Sequence, residues 1–130
     1  MSACVLDASA ILAYAYKEKG AAKVESWIEK GAAVSALTVQ ETVSKLAQNG
    51  MPSLDAEELV VSLGLDIHVL DLKHAVKAGM MFPLTKAHGL SHGDRACLAL
   101  AGSLGIPALT ADKAWSDIST ELDVHVVQFR

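Results

Sequence analysis

Four acids in this chain stand at the ends of apolar runs or at the mouths of helical ones: Asp7 in "VLDAS", Glu41 in "TVQETV", Asp94 in "SHGDRAC" and Asp112 in "LTADKA". Carboxylates gathered at one place repel one another at neutral pH. Divalent cations with oxygen ligands relieve that repulsion, and Mg²⁺ or Mn²⁺ suits carboxylates best. Two such ions, held a few ångströms apart by shared carboxylates, promote phosphodiester hydrolysis by activating a water and stabilising the leaving oxygen. Each acid also has a purely local explanation. Thr38-x-x-Glu41 and Ser91-x-x-Asp94 fit the capping box, in which a third-position acid satisfies free helix N–H groups. Asp7 and Asp112 fit simple N-caps, and Glu41 stands one turn before Lys45, a pairing worth only a few tenths of a kcal/mol.

The elements decide between these readings, because metal chemistry needs all four acids on one edge. "ACVLD" (3–7) has the form of a short buried strand, and Ala8 to about Lys17 that of a helix. Val24, Trp27 and Ile28 give 21–30 a helical period. A strand at 32–37 leads into a helix over 38–48, closed by Asn49-Gly50, and Pro52-Ser53 opens another that runs to Leu63. Residues 66–72 alternate as a strand. A helix from Lys73 is expected to end at Pro83, followed by a loop to Leu90 and a helix over 91–104. Strands at 106–111 and 124–129 flank a short helical turn at 113–118. Alternation of this kind predicts one domain over 1–130, a three-layer α/β/α fold around a mostly parallel sheet of about five strands. In such sheets ligands bind beyond the carboxyl ends of the strands, where Asp7 and Asp112 fall.

The totals sharpen the picture. The formal charge is −4, but setting the four acids aside leaves eleven others against eleven Lys and Arg. The acidity is thus assignable to one pocket, which two dications would neutralise, and a polyanionic substrate is not excluded. The apolar fraction is 52%, or about 59% with the nine glycines, against ~45–50% for ordinary globular domains. That excess points to a well-covered core and to apolar surface buried in a partner. Six aromatic residues are too few for a platform along single strands. No run is long enough to span a membrane, no signal peptide is evident, and Cys4 and Cys97 form no spaced motif; a cytoplasmic protein with reduced thiols is expected.

Taken together, "VLDASAIL", Glu41 in "LTVQETVSKL", "GLSHGDRACLALA" and "ALTADKAW" resemble the PIN-domain ribonucleases, in particular VapC-type toxins of toxin–antitoxin pairs. The match in order and spacing runs from residue 5 to 115. The resemblance implies metal-binding catalytic acids at Asp7, Glu41, Asp94 and Asp112, with supporting roles for Ser9, for Thr110 and, less closely matched, for Asp117. It implies endonucleolytic cleavage of RNA with Mg²⁺ or Mn²⁺, leaving a 5′-phosphate and a 3′-hydroxyl. It also implies a cognate antitoxin, seated against the amphipathic helices 38–48 and 53–63, and a homodimer. Arg95 and Lys113, each directly after a site acid, are candidates to hold substrate phosphates. The sequence departs from the family at His92, where an apolar residue is usual. His88 and His92 do not make a zinc site, since Gly89 separates them and no third ligand is evident.

Other functions fit the same alternation less well. A receiver-like phospho-accepting domain needs paired acids after the first strand, where "DASA" has one. Asp66 and Asp71 bracket "IHVL" instead of forming an acceptor loop. "DASAIL" lacks the glycines of a dinucleotide-binding turn. A catalytically silent PIN fold acting as a binding module, or a DNA-directed nuclease of related fold, shares the pattern of acids and is separated from a ribonuclease by assay.

Overall fold

The computed structural model describes residues 1–130. Five strands form one sheet in the order β3-β2-β1-β4-β5, and every neighbouring pair is parallel. They are β1 (Cys4–Leu6), β2 (Ala32–Ser35), β3 (Asp66–His68), β4 (Ala108–Thr110) and β5 (Val126–Gln128). The helices are α1 (Ala8–Ala15), α2 (Ala21–Lys30), α3 (Ala36–Gln48), α4 (Ser53–Ser62), α5 (Leu72–Gly79), α6 (Phe82–Thr85), α7 (His92–Leu104) and α8 (Ala114–Leu122).

The strands are short and apolar because both faces are covered. Side chains on a strand alternate between faces, and the core divides accordingly. Cys4, Leu6, Ala32, Val34 and Leu109 pack with Ile11 of α1 and Val24 of α2. Val5, Ala33 and Ala108 point the other way, to Leu98 of α7 and to Trp115 and Ile118 of α8. This is the expected three-layer arrangement, with a wholly parallel sheet. α3 touches both α1 and α7 and so bridges the two helical layers at the carboxyl edge.

Three local expectations are corrected. β2 ends at Ser35, whose hydroxyl accepts from Leu37 N–H, and the helix starts at Ala36. Thr38 is therefore inside α3, buried, with its hydroxyl oxygen unpartnered, and no capping box joins it to Glu41. Pro83 does not stop a helix. Its fixed φ and missing N–H suit a first turn, and it stands in the opening turn of α6, while α5 has already ended at Gly79. The stretch 83–90 is thus mostly helical, with a 3₁₀ turn at Lys86–His88.

Strand order reverses between β1 and β4: the chain proceeds from β1 to β2 and β3 on one side, then returns to β4 and β5 on the other. Such a switch point opens a crevice at the carboxyl ends of the two strands. Asp7 directly follows β1 and Asp112 lies two residues beyond β4.

Candidate active site

Asp7, Glu41, Asp94 and Asp112 line one open cleft of about 300 Å³, together with Ala8, Ser9, Lys45 and Ser91. β1 and β4 supply Asp7 and Asp112 from the switch point, α3 supplies Glu41 from its second turn, and α7 supplies Asp94 from its first.

Asp7 is the buried floor, 4% exposed. Its Oδ1 accepts from Ser9 Oγ at 2.7 Å and from Ala10 N–H at 2.8 Å; its Oδ2 accepts from Thr110 Oγ1. The directions of these hydroxyls are determined by their other partners. Ser9 Oγ accepts from Ala111 N–H at 3.1 Å and Thr110 Oγ1 from Asp112 N–H at 3.0 Å, so each turns its single proton toward Asp7. Three of the roughly four acceptor positions of the carboxylate are thereby filled. Burial nevertheless pushes Asp7 up to about 6, against the lowering effect of Thr110, Ser9 and Ala10 and with a further upward push from Asp94. Ser9 and Thr110 thus stand where the sequence expects supporting hydroxyls.

Asp94 fulfils its local role as well. Ser91 caps α7 by accepting from Asp94 N–H at 3.1 Å, and Asp94 Oδ2 accepts from Ser91 N–H at 2.9 Å, completing the capping box. Burial raises its pKa above the usual carboxylate value, the Ser91 N–H lowers it, and Glu41 and Asp112 raise it further. Glu41 has no capping role, and neither the Glu18–Arg130 ion pair nor the His68–Asp66 hydrogen bond includes it. Its Oε2 accepts from Ser91 Oγ at 3.0 Å. Asp112 Oδ1 accepts from Ala114 N–H at 3.0 Å, closing the turn into α8.

The donor set fits hydrated divalent cations. Four carboxylates share one cleft, Asp7 and Asp94 raised by burial and by neighbouring acids, though no three acids converge closely enough to enclose an ion without water. Mg²⁺ commonly takes one or two carboxylates and retains waters.

The two cations expected to flank the cleft do not. Arg95 is buried beneath it: Nη1 donates to Leu90 O and Nη2 to His92 Nδ1, both at 2.9 Å, and the guanidinium stacks over Phe82. An arginine one residue after Asp94 is turned about 100° around the helix, which carries it into the layer below. Lys113 donates to the backbone oxygen of Arg130. Asp117 is exposed on α8, outside the cleft lining, as is His92. The cation that does line the cleft is Lys45. Its spacing of four from Glu41 was the available signal, since i and i+4 share a helix face.

The PIN domain family model matches residues 4–121. Curated protein sequences yield no match. Among solved structures, VapBC2 from Rickettsia felis bound to a promoter DNA fragment superposes with a TM-score of 0.73 at 14% identity, covering 96% of this chain and 97% of that one. A toxin–antitoxin complex from Klebsiella pneumoniae gives 0.72 at 17% identity, covering 98% of both chains. FitAcB from Neisseria gonorrhoeae gives 0.66 at 18%, covering 97% of both. These likenesses establish a shared fold along the whole length, and with the family model spanning nearly every element that builds the cleft, the chain belongs to the PIN domain family.

Proposed function

We propose that this protein is a divalent-metal-dependent endoribonuclease acting as the toxin of a toxin–antitoxin pair. One observation carries the reading: acids separated by up to 105 positions in the chain, from Asp7 to Asp112, share a single cleft at the switch point of the sheet. Mg²⁺ or Mn²⁺ bound there would activate a water for attack on phosphorus and stabilise the leaving oxygen, giving a 5′-phosphate and a 3′-hydroxyl.

The residues of the chain prepare that chemistry. Ser9 and Thr110 hold Asp7 in one orientation, with one acceptor position left over. Asp94, Glu41 and Asp112 stand around it as further oxygen donors, directly or through water. Lys45, exposed at the rim, offers a positive charge to a neighbouring phosphate of the substrate. Arg95, Lys113 and Asp117 are withdrawn from the site.

Several structural neighbours are toxin–antitoxin complexes, among them one from Klebsiella pneumoniae and one from Rickettsia felis bound to promoter DNA. We extend an antitoxin partner to this chain on that basis. An arginine of such a partner would compete with the metal for the carboxylates. Of the two helices expected to seat the antitoxin, the second, α4, exposes Leu54, whereas Val60 and Leu63 at its end are buried. A homodimer is part of the same proposal.

The test is incubation of purified protein with total RNA and, separately, with single-stranded DNA, with Mn²⁺ and with chelator. RNA cutting that requires the metal and falls by at least about 100-fold in Asp7→Asn and Asp94→Asn is expected, on the scale of losing a major charge-stabilising group. Cutting that persists in both variants would refute it; DNA cutting alone would replace RNA as the substrate. The receiver alternative loses support because Asp71 caps α5 and Asp66 pairs with His68, and neither acid lines the cleft.

A further inference from the structure

Three hydroxyls, Ser9 and Ser91 in the cleft lining and Thr110 buried behind it, share one arrangement. Ser9, Thr110 and Ser91 each accept a backbone N–H, from Ala111, Asp112 and Asp94 respectively, so each has its proton left for a carboxylate. Two of those protons go to Asp7. The third goes to Glu41, whose Oε2 lies 3.0 Å from Ser91 Oγ across 50 positions of sequence.

Glu41 also rests on a residue without a side chain. A Cβ on Gly93 would stand 2.7 Å from Glu41 Oε2, 3.1 Å from its Cδ and 3.4 Å from Oε1. The carboxylate therefore lies against the bare first turn of α7, one residue from Asp94. Gly93 is not demanded by the backbone, since it has an ordinary helical φ and six other glycines carry the positive ones. Glycine inside a helix weakens it relative to alanine. The close contact with Glu41 is what alanine would disturb.

We propose that Ser91 and Gly93 are positioning residues for Glu41: the hydroxyl draws the carboxylate onto α7 and the missing side chain leaves it room, so that Glu41 reaches the same metal ions as Asp94. This rests on the reading of the cleft as a metal centre. Neither residue touches substrate or metal in this role; Gly93 acts through Glu41, and Ser91 through Glu41 while also capping the turn that carries Asp94.

Calorimetric titration of the full-length, metal-free protein with Mn²⁺, alongside thermal melts without metal, tests it. Gly93→Ala and Ser91→Gly should each weaken Mn²⁺ binding by about 10- to 100-fold, the usual effect of losing an outer partner of a metal ligand. Ser91→Thr, which keeps both the cap and the donor, should restore it. Gly93→Ala should melt at or above the wild-type temperature, because the new methyl meets only the end of a flexible side chain while the helix gains. In a Glu41→Ala background, Gly93→Ala should have no further effect on Mn²⁺ affinity. Wild-type affinity in both single variants would overturn the inference, as would a lower melting temperature in Gly93→Ala that accounts for the lost binding. A wild-type protein that binds no Mn²⁺, with Asp7→Asn indistinguishable from it, would instead remove the metal centre itself and everything resting on it.

Discussion

Asp7 shows why the local and the chemical explanations of an acid need not compete. It caps α1 through Oδ1 and still faces the cleft, because one carboxylate has room for a backbone donor, two hydroxyls and a further partner. Its burial has a measurable consequence. In the folded chain Asp7 holds its proton up to about pH 6, whereas the unfolded value is 3.8. Between those values the folded state binds the extra proton, so metal-free stability falls as pH rises through this window, and the penalty is complete above it. That penalty is on the order of 3 kcal/mol. Thermal melts should therefore show the metal-free protein losing stability from about pH 4 to pH 7, and Asp7→Asn losing less, the remainder coming from Asp94, whose pKa is also raised. At neutral pH the variant should be the more stable of the two. Added Mn²⁺ should raise the melting temperature of the wild type at neutral pH and have little effect on Asp7→Asn.

At the scale of elements, α7 joins the cleft to the layer beneath it. Its first turn presents Asp94 and, through Ser91 and Gly93, receives Glu41 from α3. One position on, Arg95 reaches down to Leu90 O, His92 and the Phe82 ring, fastening α6 and the approach to α7. Arg95→Ala should cost about 2–3 kcal/mol, the order for buried hydrogen bonds from a charged donor. Urea denaturation checks that cost. Cleavage kinetics should show an unchanged KM for RNA, since the guanidinium does not face substrate; a raised KM with undiminished stability would return Arg95 to the binding surface. Thr38, buried with an unpartnered hydroxyl, reflects the same point: α3 begins two residues earlier than its polar pattern suggests, because Ser35 provides a cap that "AAVSAL" conceals within an apolar run.

Across the whole molecule, the surplus of apolar residues has a location. Val69, Leu72, Val76, Met80, Phe82 and Leu84 are all exposed, and Leu72, Val76 and Met80 follow one stripe down α5 and its C-cap, with Leu72 80% accessible. An exposed run of this kind marks an interaction surface. If the proposed homodimer uses this face, Leu72→Glu combined with Val76→Lys should convert a dimer to a monomer in size-exclusion chromatography with light scattering, without lowering the melting temperature of the metal-free chain by more than a surface change does. A dimer that survives both changes would move the interface elsewhere.

The sequence by itself determined the alternation of elements, the parallel sheet and which four acids come to one cleft, because these depend on hydrophobic period and on which residue types end a strand or open a helix. It did not determine where the side chains next to those acids would point. Arg95, Lys113 and Asp117 follow the acids in the chain yet leave the cleft, while Lys45 and Ser91, about one helical turn from Glu41 and Asp94 on the same helices, enter it. Adjacency along a helix separates neighbours by about 100° of rotation, so proximity in sequence is a poor guide to a shared site, and only the packing of α3 against α7 decided which cation and which hydroxyl meet the carboxylates.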